Sequence, residues 1–457
     1  MSSLESVRAC AVAALGAPAL GAPALGAPAP GTHGAAAPAA PGIHSVAALV
    51  LAALALAAPA ALAQPLSLDD AIRIGEARSA RVAAQSAAVT AAGELAGRAG
   101  ELPDPKLVLG IENLPVSGSE AWRADQDSMT MRRIGIEQGF PNAGKRRALG
   151  ARAQAESSVE SANLAASRLQ VRRDVTVAWF DLRYAHEEHA ALVALVRETE
   201  LEAETAAAAV AGGRLAPADA IAARAAVEQA RDRLAMHDRA LERARIALAQ
   251  LVGEAASRPL GGAPDTSVLP VSRRELLVRL NEHPAVRSAE RQAALAQAEI
   301  AIADSTKTPD WSLIVSYGQR SPNFSNMVSV LVAIDLPIAA GRRQDRDIAA
   351  KQALAERARN ASEDARRTAE AEARGLVADW ETALSRVTRY ERSILPLARE
   401  RVALALAAYR GGRGTLAGVL EARRAASEAQ MSLAQALAER ARAWAAITNL
   451  LLEEGQS

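Results

Sequence analysis

Hydrophobic and polar residues follow two different periods along this chain, and each period predicts its own kind of element. Short stretches alternate apolar with polar residues, which is typical of strands. These stretches form two pairs, at 106–114 with 129–138 and at 311–318 with 327–336. Long alanine-rich segments have apolar residues every three or four positions, which predicts helices. The predicted helices cover 68–99, 143–211, 217–252, 273–304, 342–408 and 415–452.

The longest predicted helix, 143–211, contains no proline and would extend roughly 100 Å if it is continuous. Its central part carries a heptad pattern, in which the residues of one face recur by steps of three and four. We call these residues the heptad seam: Val171, Val175, Ala178, Leu182, Ala185, His189, Leu192 and Val196. Such a long seam indicates coiled-coil packing in an elongated molecule and not a globular domain.

Several short motifs occur twice, about 200 residues apart. A Pro-Asp pair precedes each pair of strands, an X-Pro pair follows it, and Gly-Gly-Arg ends each long helix: 103–104 and 309–310, 140–141 and 336–337, and 212–214 and 411–413. The duplication predicts two structural repeats, 64–260 and 261–457. Each repeat contains a helix, a β-hairpin and a helical hairpin.

The first 63 residues predict a signal peptide and a low-complexity leader. Residues 9–68 contain no charged side chain, and the apolar run Val46 to Leu62 leads into Ala61-Leu62-Ala63, a small-x-small cleavage site. The alternative is a membrane anchor, although this apolar run of about 17 residues is at the short limit for a span.

Composition excludes several classes of function. The net charge of +1 gives no sign of a nucleic-acid footprint, so no nucleic-acid partner is expected. The single cysteine, Cys10, cannot form a disulfide within the chain. We find no phosphate-binding loop and no nucleophile elbow. We therefore expect neither an enzyme nor a cofactor.

Four strands per chain impose a constraint if they enter a membrane. Unpaired backbone groups are costly in lipid, so only helices and closed barrels span a bilayer. Eight strands make about the smallest barrel, and its interior is filled by side chains. Three chains would supply twelve strands and an open lumen. The predicted fold class is mainly α with a small β portion, and trimers would form a 12-stranded β-barrel that continues as an α-helical tunnel.

The sequence resembles the TolC-type outer-membrane efflux family over about residues 66–452. The segments that are similar to its heavy-metal branch are Leu-Pro-Asp-Pro at 102–105, Glu-Asn-Leu-Pro-Val at 112–116, Met-Thr-Met at 129–131, Gly-Ile-Glu-Gln-Gly-Phe-Pro at 135–141 and Gly-Lys-Arg at 144–146. Tyr-Arg-Gly-Gly at 409–412, followed by Val-Leu-Glu-Ala at 419–422, resembles the second helical turn of the family. The order, spacing and duplication of these segments carry the resemblance.

The resemblance implies a homotrimer in the cell outer membrane, with its helical tunnel in the periplasm. Its expected partners are a periplasmic adaptor protein, an inner-membrane pump of the resistance-nodulation-division class and outer-membrane lipid. The channel would conduct solutes passively, and heavy-metal cations are the expected cargo. The alternatives are a channel for a drug pump or a type I secretion system, and a secreted coiled-coil scaffold.

The resemblance also implies that both helical turns contact the adaptor. The residues concerned are Gly212, Gly213, Arg214, Leu215, Tyr409, Gly411, Gly412 and Arg413. The alternative interpretation is an ordinary left-handed helix stop, which needs glycine in any case.

Family members often carry acidic residues just past the second turn, where they narrow the entrance. Gly418 occupies the first such position here, which is a departure, and Glu421 occupies the next; Asp219 is the first-repeat counterpart of Gly418. Asp219 and Glu421 are therefore the candidate entrance constriction, because three-fold symmetry would turn either carboxylate into a cation-favouring ring. The alternative is a solvated helix face.

No metal site is predicted. Met129 and Met131 are expected on one strand face, where a lipid-facing stripe is favoured over a copper site. His186 and His189 are three residues apart on a helix, and the position of His189 on the heptad seam favours packing over metal binding.

Overall fold

The computed structural model describes residues 64–451; the predicted signal peptide and leader, 1–63, lie outside the described residues. Before residue 260 the chain forms α1 Leu68–Arg78, α2 Ala80–Arg98, β1 Lys106–Glu112, β2 Met131–Phe140, α3 Ala143–Ala211 and α4 Pro217–Val252. After it come α5 Arg273–Val278, α6 Pro284–Ser305, β3 Trp311–Gln319, β4 Met327–Ile334, α7 Gln344–Arg389, α8 Leu395–Arg410 and α9 Leu416–Thr448. The predicted fold class of this chain, mainly helical with four strands, is confirmed.

None of the helices within residues 64–451 combines the length and apolar character that a membrane-spanning helix requires.

The four strands form one antiparallel sheet in the order β1-β2-β3-β4. Its register separates the side chains by chemistry. One face, which we call the apolar face, is exposed and consists mainly of Leu107, Leu109, Ile111, Ile134, Ile136, Val315, Tyr317, Val328, Val330 and Val332. The opposite face, the polar face, carries Lys106, Glu112, Arg133, Glu137, Ser316 and Ser329, together with glycines and a few apolar side chains, among them Val108, Ile314 and Leu331. Arg133 donates a hydrogen bond to Glu112 on this face.

The prediction that Met129 and Met131 share one strand face is wrong. Asp127 Oδ2 accepts the backbone N–H groups of Met129 and Thr130, each at 3.0 Å, which holds Met129 in a turn before the strand. β2 therefore begins at Met131, and strict alternation places Met131 on the polar face, opposite to Ile134 and Ile136.

Three of the predicted helices are interrupted. The segment 68–99 is divided at Ser79, whose hydroxyl accepts the Val82 N–H and caps α2. The segment 273–304 is divided before Pro284, and His283 caps α6 through its ring nitrogen. The third, 342–408, contains a wide π-helical turn at Tyr390–Ile394. Pro396 follows that turn and lacks the N–H that a regular helix would use.

The main core cluster lies where the middle of α3 meets α1 and the C-terminal parts of α4 and α9. Trp179 and Phe180 are fully buried there, and the Trp179 indole donates to the Leu66 carbonyl at 3.1 Å. Most residues of the heptad seam are buried, as predicted, whereas Ala185 and His189 are partly exposed. α3 and α4 have the predicted bounds, and α3 is one continuous helix of 69 residues.

Candidate docking and entrance sites at the helical tips

The turn between α3 and α4 is a Schellman motif built on a left-handed glycine. Gly213 has φ +69°, and its N–H donates to the Val210 carbonyl at 3.0 Å. The Arg214 N–H reaches back to the Ala209 carbonyl at 2.9 Å. These bonds satisfy carbonyls that a helix end would leave unpaired. The turn therefore depends on glycine for its backbone alone, because a Cβ on Gly213 would meet no atom within 4 Å.

The turn between α8 and α9 repeats this geometry. Gly412 has φ +68°, and its N–H donates to the Tyr409 carbonyl at 3.0 Å. The Arg413 N–H donates to the Ala408 carbonyl at 2.9 Å. The start of the following helix differs, because Thr415 caps α9 by accepting the Gly418 N–H at 3.2 Å, whereas α4 begins without a side-chain cap. The glycine at position 418 thus belongs to a capped first turn.

The structure brings the two turns together. One apolar cluster joins them, with Leu215 and Tyr409 partly buried against Ala206, Ala220, Ala223, Leu416 and Leu420. Arg214, Arg413 and the four glycines stay exposed around this cluster. All eight predicted contact residues therefore lie at one end of the helical hairpins. They present a small surface with an apolar centre and two exposed guanidinium groups.

The two predicted constriction residues have different surroundings. Glu421 is exposed and forms an ion pair with Arg401 of α8, with 2.9 Å between Oε1 and Nη2. Asp219 lies in the first turn of α4, where a carboxylate interacts favourably with the helix dipole. No side-chain hydrogen bond links Asp219 with Glu421 within residues 64–451. The Arg401 partner was not anticipated from the sequence, and it offsets part of the Glu421 charge.

The sequence also did not predict a buried ion pair behind the tips, between Glu202 and Arg423. A groove of about 430 Å³ between α4 and α9 is lined by Glu202 of α3, Arg423 of α9 and neighbouring side chains. Glu202 is 9% exposed, and its Oε1 lies 2.7 Å from Arg423 Nε. Burial raises the pKa of Glu202 above its usual range, despite the opposing effect of Arg423. A sequence signal existed, because Glu202 continues the buried face of Leu195, Thr199 and Ala206.

Two histidines pair with carboxylates across the α3–α4 hairpin. His189 Nε2 lies 2.9 Å from Asp238 Oδ1, and His237 Nδ1 lies 3.4 Å from Glu188 Oε2. The His186 side chain has a pKa below its usual range, chiefly because of partial burial and then because of the nearby Arg245. Among the described residues, no group of three or more His, Cys, Asp or Glu side chains has the arrangement of a metal site.

Comparison with known proteins supports an assignment to one family. The sequence model of the outer membrane efflux protein family matches residues 72–254 and 278–451. A search of curated protein sequences finds no significant match.

Solved structures share the fold at low sequence identity. A membrane protein from Pseudomonas aeruginosa has a TM-score of 0.73 at 20% identity, over 84% of this chain and 89% of that one. The outer membrane protein VceC from Vibrio cholerae has 0.70 at 18%, over 84% and 97%. The open state of the MtrE outer membrane channel from Neisseria gonorrhoeae has 0.68 at 20%, over 84% and 88%.

The family match covers more than half of the chain, and the long helical hairpins with their four-stranded sheet agree with it. The chain belongs to the outer membrane efflux protein family, whose members are channels and not enzymes.

Proposed function

We propose that this protein is the outer-membrane channel of a tripartite efflux pump, and that it conducts heavy-metal cations passively to the exterior. The observation that carries the proposal is the exposed apolar face of the sheet, beside which the 69-residue helix α3 begins. Exposed apolar patches of this kind are rare on soluble monomers. Lipid is the environment that accommodates such a face, and the expected location is the cell outer membrane.

The edges of the sheet support a homotrimer. β1 and β4 each pair with one neighbour within the described chain, so each has an edge whose backbone groups lack a strand partner. In lipid those groups need partners, and a closed barrel supplies them. Three copies provide twelve strands and an aqueous lumen, with the polar face inward and the apolar face outward. The helical hairpins would then form the tunnel in the periplasm.

The helical tips support the partner proposal. They expose Arg214 and Arg413 beside an apolar cluster at the end of the hairpins, where a periplasmic adaptor would approach. The energy for transport would come from an inner-membrane pump of the resistance-nodulation-division class. The proposed cargo rests on the heavy-metal resemblance of the segments between 102 and 146, because a passive tunnel has no catalytic groups that reveal its solute.

Imaging of the detergent-extracted protein tests the channel. Outer-membrane fractions should yield three-fold particles with a micelle at one end and a tube of roughly 100 Å, the length of α3. A soluble monomer or dimer without a micelle would instead support the secreted scaffold.

Growth assays test the cargo separately. Deletion of the gene should sensitise cells to metal cations such as Cu⁺, Zn²⁺ or Cd²⁺, and the plasmid-borne gene should restore growth. Sensitivity to a panel of organic drugs alone would assign the channel to a drug pump. Loss of a secreted protein alone would assign it to type I secretion.

A further inference from the structure

Asp310 closes the junction between strand β2 and helix α3 inside the chain. Its carboxylate accepts the Asn142 backbone N–H at 2.7 Å and the Lys145 ammonium at 2.5 Å. Asn142 in turn caps α3 by accepting the Lys145 N–H at 2.7 Å. Asp310 can do this because it immediately precedes β3, which pairs with β2. One carboxylate therefore fastens the start of the longest helix to the adjacent strand.

The equivalent junction between strand β4 and helix α7 is open. Ile338 holds the position that corresponds to Asn142, and it is 90% exposed. α7 begins only at Gln344, and its N-cap residue, Arg343, makes no side-chain capping bond. The exposed guanidinium of Arg342 has no hydrogen bond or ion pair within residues 64–451. This junction lacks the carboxylate that closes its counterpart.

The missing carboxylate has a candidate in the same sequence. Asp104 follows Leu102-Pro103 and immediately precedes the region of β1, as Asp310 follows Thr308-Pro309 before β3. Asp104 is exposed and has no side-chain partner among the described residues. It lies at the edge of the sheet opposite to β4, so it cannot reach Arg342 of its own chain through strand pairing. A second copy can bring the two together.

Transferring the β2–β3 register to a β1–β4 contact between copies gives compatible pairs. Within the chain, Phe140 of β2 lies opposite Trp311 of β3. The duplicated Pro-Asp and X-Pro motifs relate β4 to β2 and β1 to β3. Counted from these motifs, Leu109 of one copy would lie opposite Val332 of the next copy. Both residues belong to the apolar face. The same register places Lys106 opposite Asp335, a pair of opposite charges. Side chains of like character thus meet on each face of the extended sheet.

Helices α2 and α6 correspond to each other in the duplication, but they differ in their packing. α6 packs against both α7 and α3, whereas the main helix contact of α2 is with α3. By the duplication, the free side of α2 corresponds to the side of α6 that contacts α3. Helix α7 of a neighbouring copy would fill this position.

We propose that Asp104 of one copy closes the β4–α7 junction of the next copy by pairing with Arg342, as Asp310 pairs with Lys145 within the chain. The inference rests on the proposed trimeric channel. It defines the partner surface as a second copy of this chain and gives each trimer six corresponding junctions, three within chains and three between them. The junctions between copies form only when the barrel closes, so closure of the barrel and the Asp104–Arg342 contact are coupled.

Chemical cross-linking of the full-length protein in outer membranes tests this contact. The only native cysteine is replaced by Cys10→Ser, and Asp104→Cys is combined with Arg342→Cys. A short bis-maleimide should give covalent dimers and trimers that require both new cysteines. The matched in-chain pair, Asp310→Cys with Lys145→Cys, should be cross-linked within one chain, so it should give no covalent dimers or trimers. Asp125→Cys with Arg342→Cys should not cross-link, because Asp125 lies in the loop at the opposite end of β1.

Two further measurements separate failure of this contact from failure of the channel. Leu109→Cys with Val332→Cys should form a disulfide between copies, since facing strand residues have Cα atoms about 5 Å apart. The mass of the detergent-extracted particle reports the trimer without any cysteine. Trimers in which the 104–342 pair gives only monomers would overturn the Asp104 junction alone. A monomeric particle with no 109–332 disulfide would overturn the channel as well.

Charge exchange gives an independent result if the cysteine pair folds poorly. Asp104→Arg and Arg342→Asp should each lower the temperature at which the trimer dissociates, and the double variant should recover most of the loss. Additive losses in the double variant would mean that the two side chains do not meet. Asp125→Arg, an exposed loop substitution, is the control for a change of net charge.

Discussion

Asp310 shows how one side chain can link two kinds of secondary structure. Burial alone would raise the pKa of its carboxyl, but hydrogen bonds from Lys145 and Asn142 outweigh burial and lower the pKa below its usual value. The charged form is therefore preferred in the folded protein. A lowered pKa means that the stabilisation is complete above the unfolded pKa of about 3.9 and is lost as the pH falls through the folded value.

Asp310→Asn should weaken the in-chain junction by about 1 kcal/mol at neutral pH, since hydrogen bonds to a charged group are lost. The difference in unfolding temperature between this variant and the native protein should be present at pH 7 and should shrink below about pH 4. Thermal unfolding in detergent at several pH values measures it. Asp125→Asn in the exposed loop is the control, and a difference that does not change with pH would contradict the assigned role.

The side chains of Arg214 and Arg413 are exposed and therefore accessible to a partner. The two turns are held by backbone hydrogen bonds, so they do not depend on these side chains. Arg214→Glu combined with Arg413→Glu should abolish metal resistance in cells, since it reverses both exposed charges and leaves the Schellman bonds intact. Trimers should remain in the outer membrane at normal levels. Arg123→Glu in the β1–β2 loop, far from the tips, is the matched control. Full resistance of the double variant would contradict a docking role for these side chains.

At the scale of elements, the pairing between α8 and α9 modifies the expected entrance. Glu421 would favour cations as part of a three-fold ring, but Arg401 lies 2.9 Å away and opposes this preference. If Glu421 lines the proposed entrance, α8 and α9 would set its charge jointly. A sequence comparison that considers only the acidic positions misses this effect.

Asp219→Ala combined with Glu421→Ala should reduce the cation preference of the channel in planar bilayers, because both candidate carboxylates are removed. Arg401→Ala should have the opposite effect, since it leaves Glu421 charged and unpaired. Reversal potentials under a salt gradient measure both changes. An unchanged preference in both variants would place the constriction elsewhere.

Sequence periodicity predicted the long elements well and their interruptions poorly. α3 and α4 have the predicted bounds, because an unbroken apolar stripe and a left-handed glycine define each of them. The break at Ser79 was missed, because a serine within an alanine-rich helix gives no signal unless its hydroxyl is known to cap the next turn. β2 began later than predicted, because Asp127 holds the preceding residues in a turn.

The candidate site was only partly predictable. Both Gly-Gly-Arg turns were visible in the sequence, since a Schellman motif needs glycine at a fixed place. The partners Arg401 and Arg423 were not, because they come from other helices and the pairing depends on how the hairpins pack. Ion pairs between residues 20 or more positions apart cannot be predicted from local sequence, because the chain offers many acidic and many basic residues as possible partners.

At the scale of the whole molecule, the proposed barrel would place lipid on one face of the sheet and water on the other. Its apolar face and polar face alternate residue by residue along each strand, so adjacent positions should respond in opposite ways to the same substitution. β4 offers the cleanest pair, because Ser329 and Val330 are neighbours and lie on opposite faces.

Val330→Arg should destabilise the inserted barrel by about 2–4 kcal/mol if this position lies near the middle of the bilayer. Ser329→Arg is the matched control and should be tolerated, because its side chain would reach the aqueous lumen. The amount of heat-modifiable trimer in the outer-membrane fraction measures both. Equal tolerance of the two variants would show that the apolar face does not contact lipid.

The two long hairpins differ in the continuity of their first arm. α3 runs unbroken for 69 residues, whereas the wide turn at Tyr390–Ile394 leaves α8 as a segment of only 16 residues before the tip. A bending load applied at the tips therefore concentrates at the wide turn, where the regular hydrogen-bond ladder is already interrupted. α3 offers no such weak point along its length. The part of the second hairpin expected to bend about the wide turn is therefore α8, which is about 24 Å long.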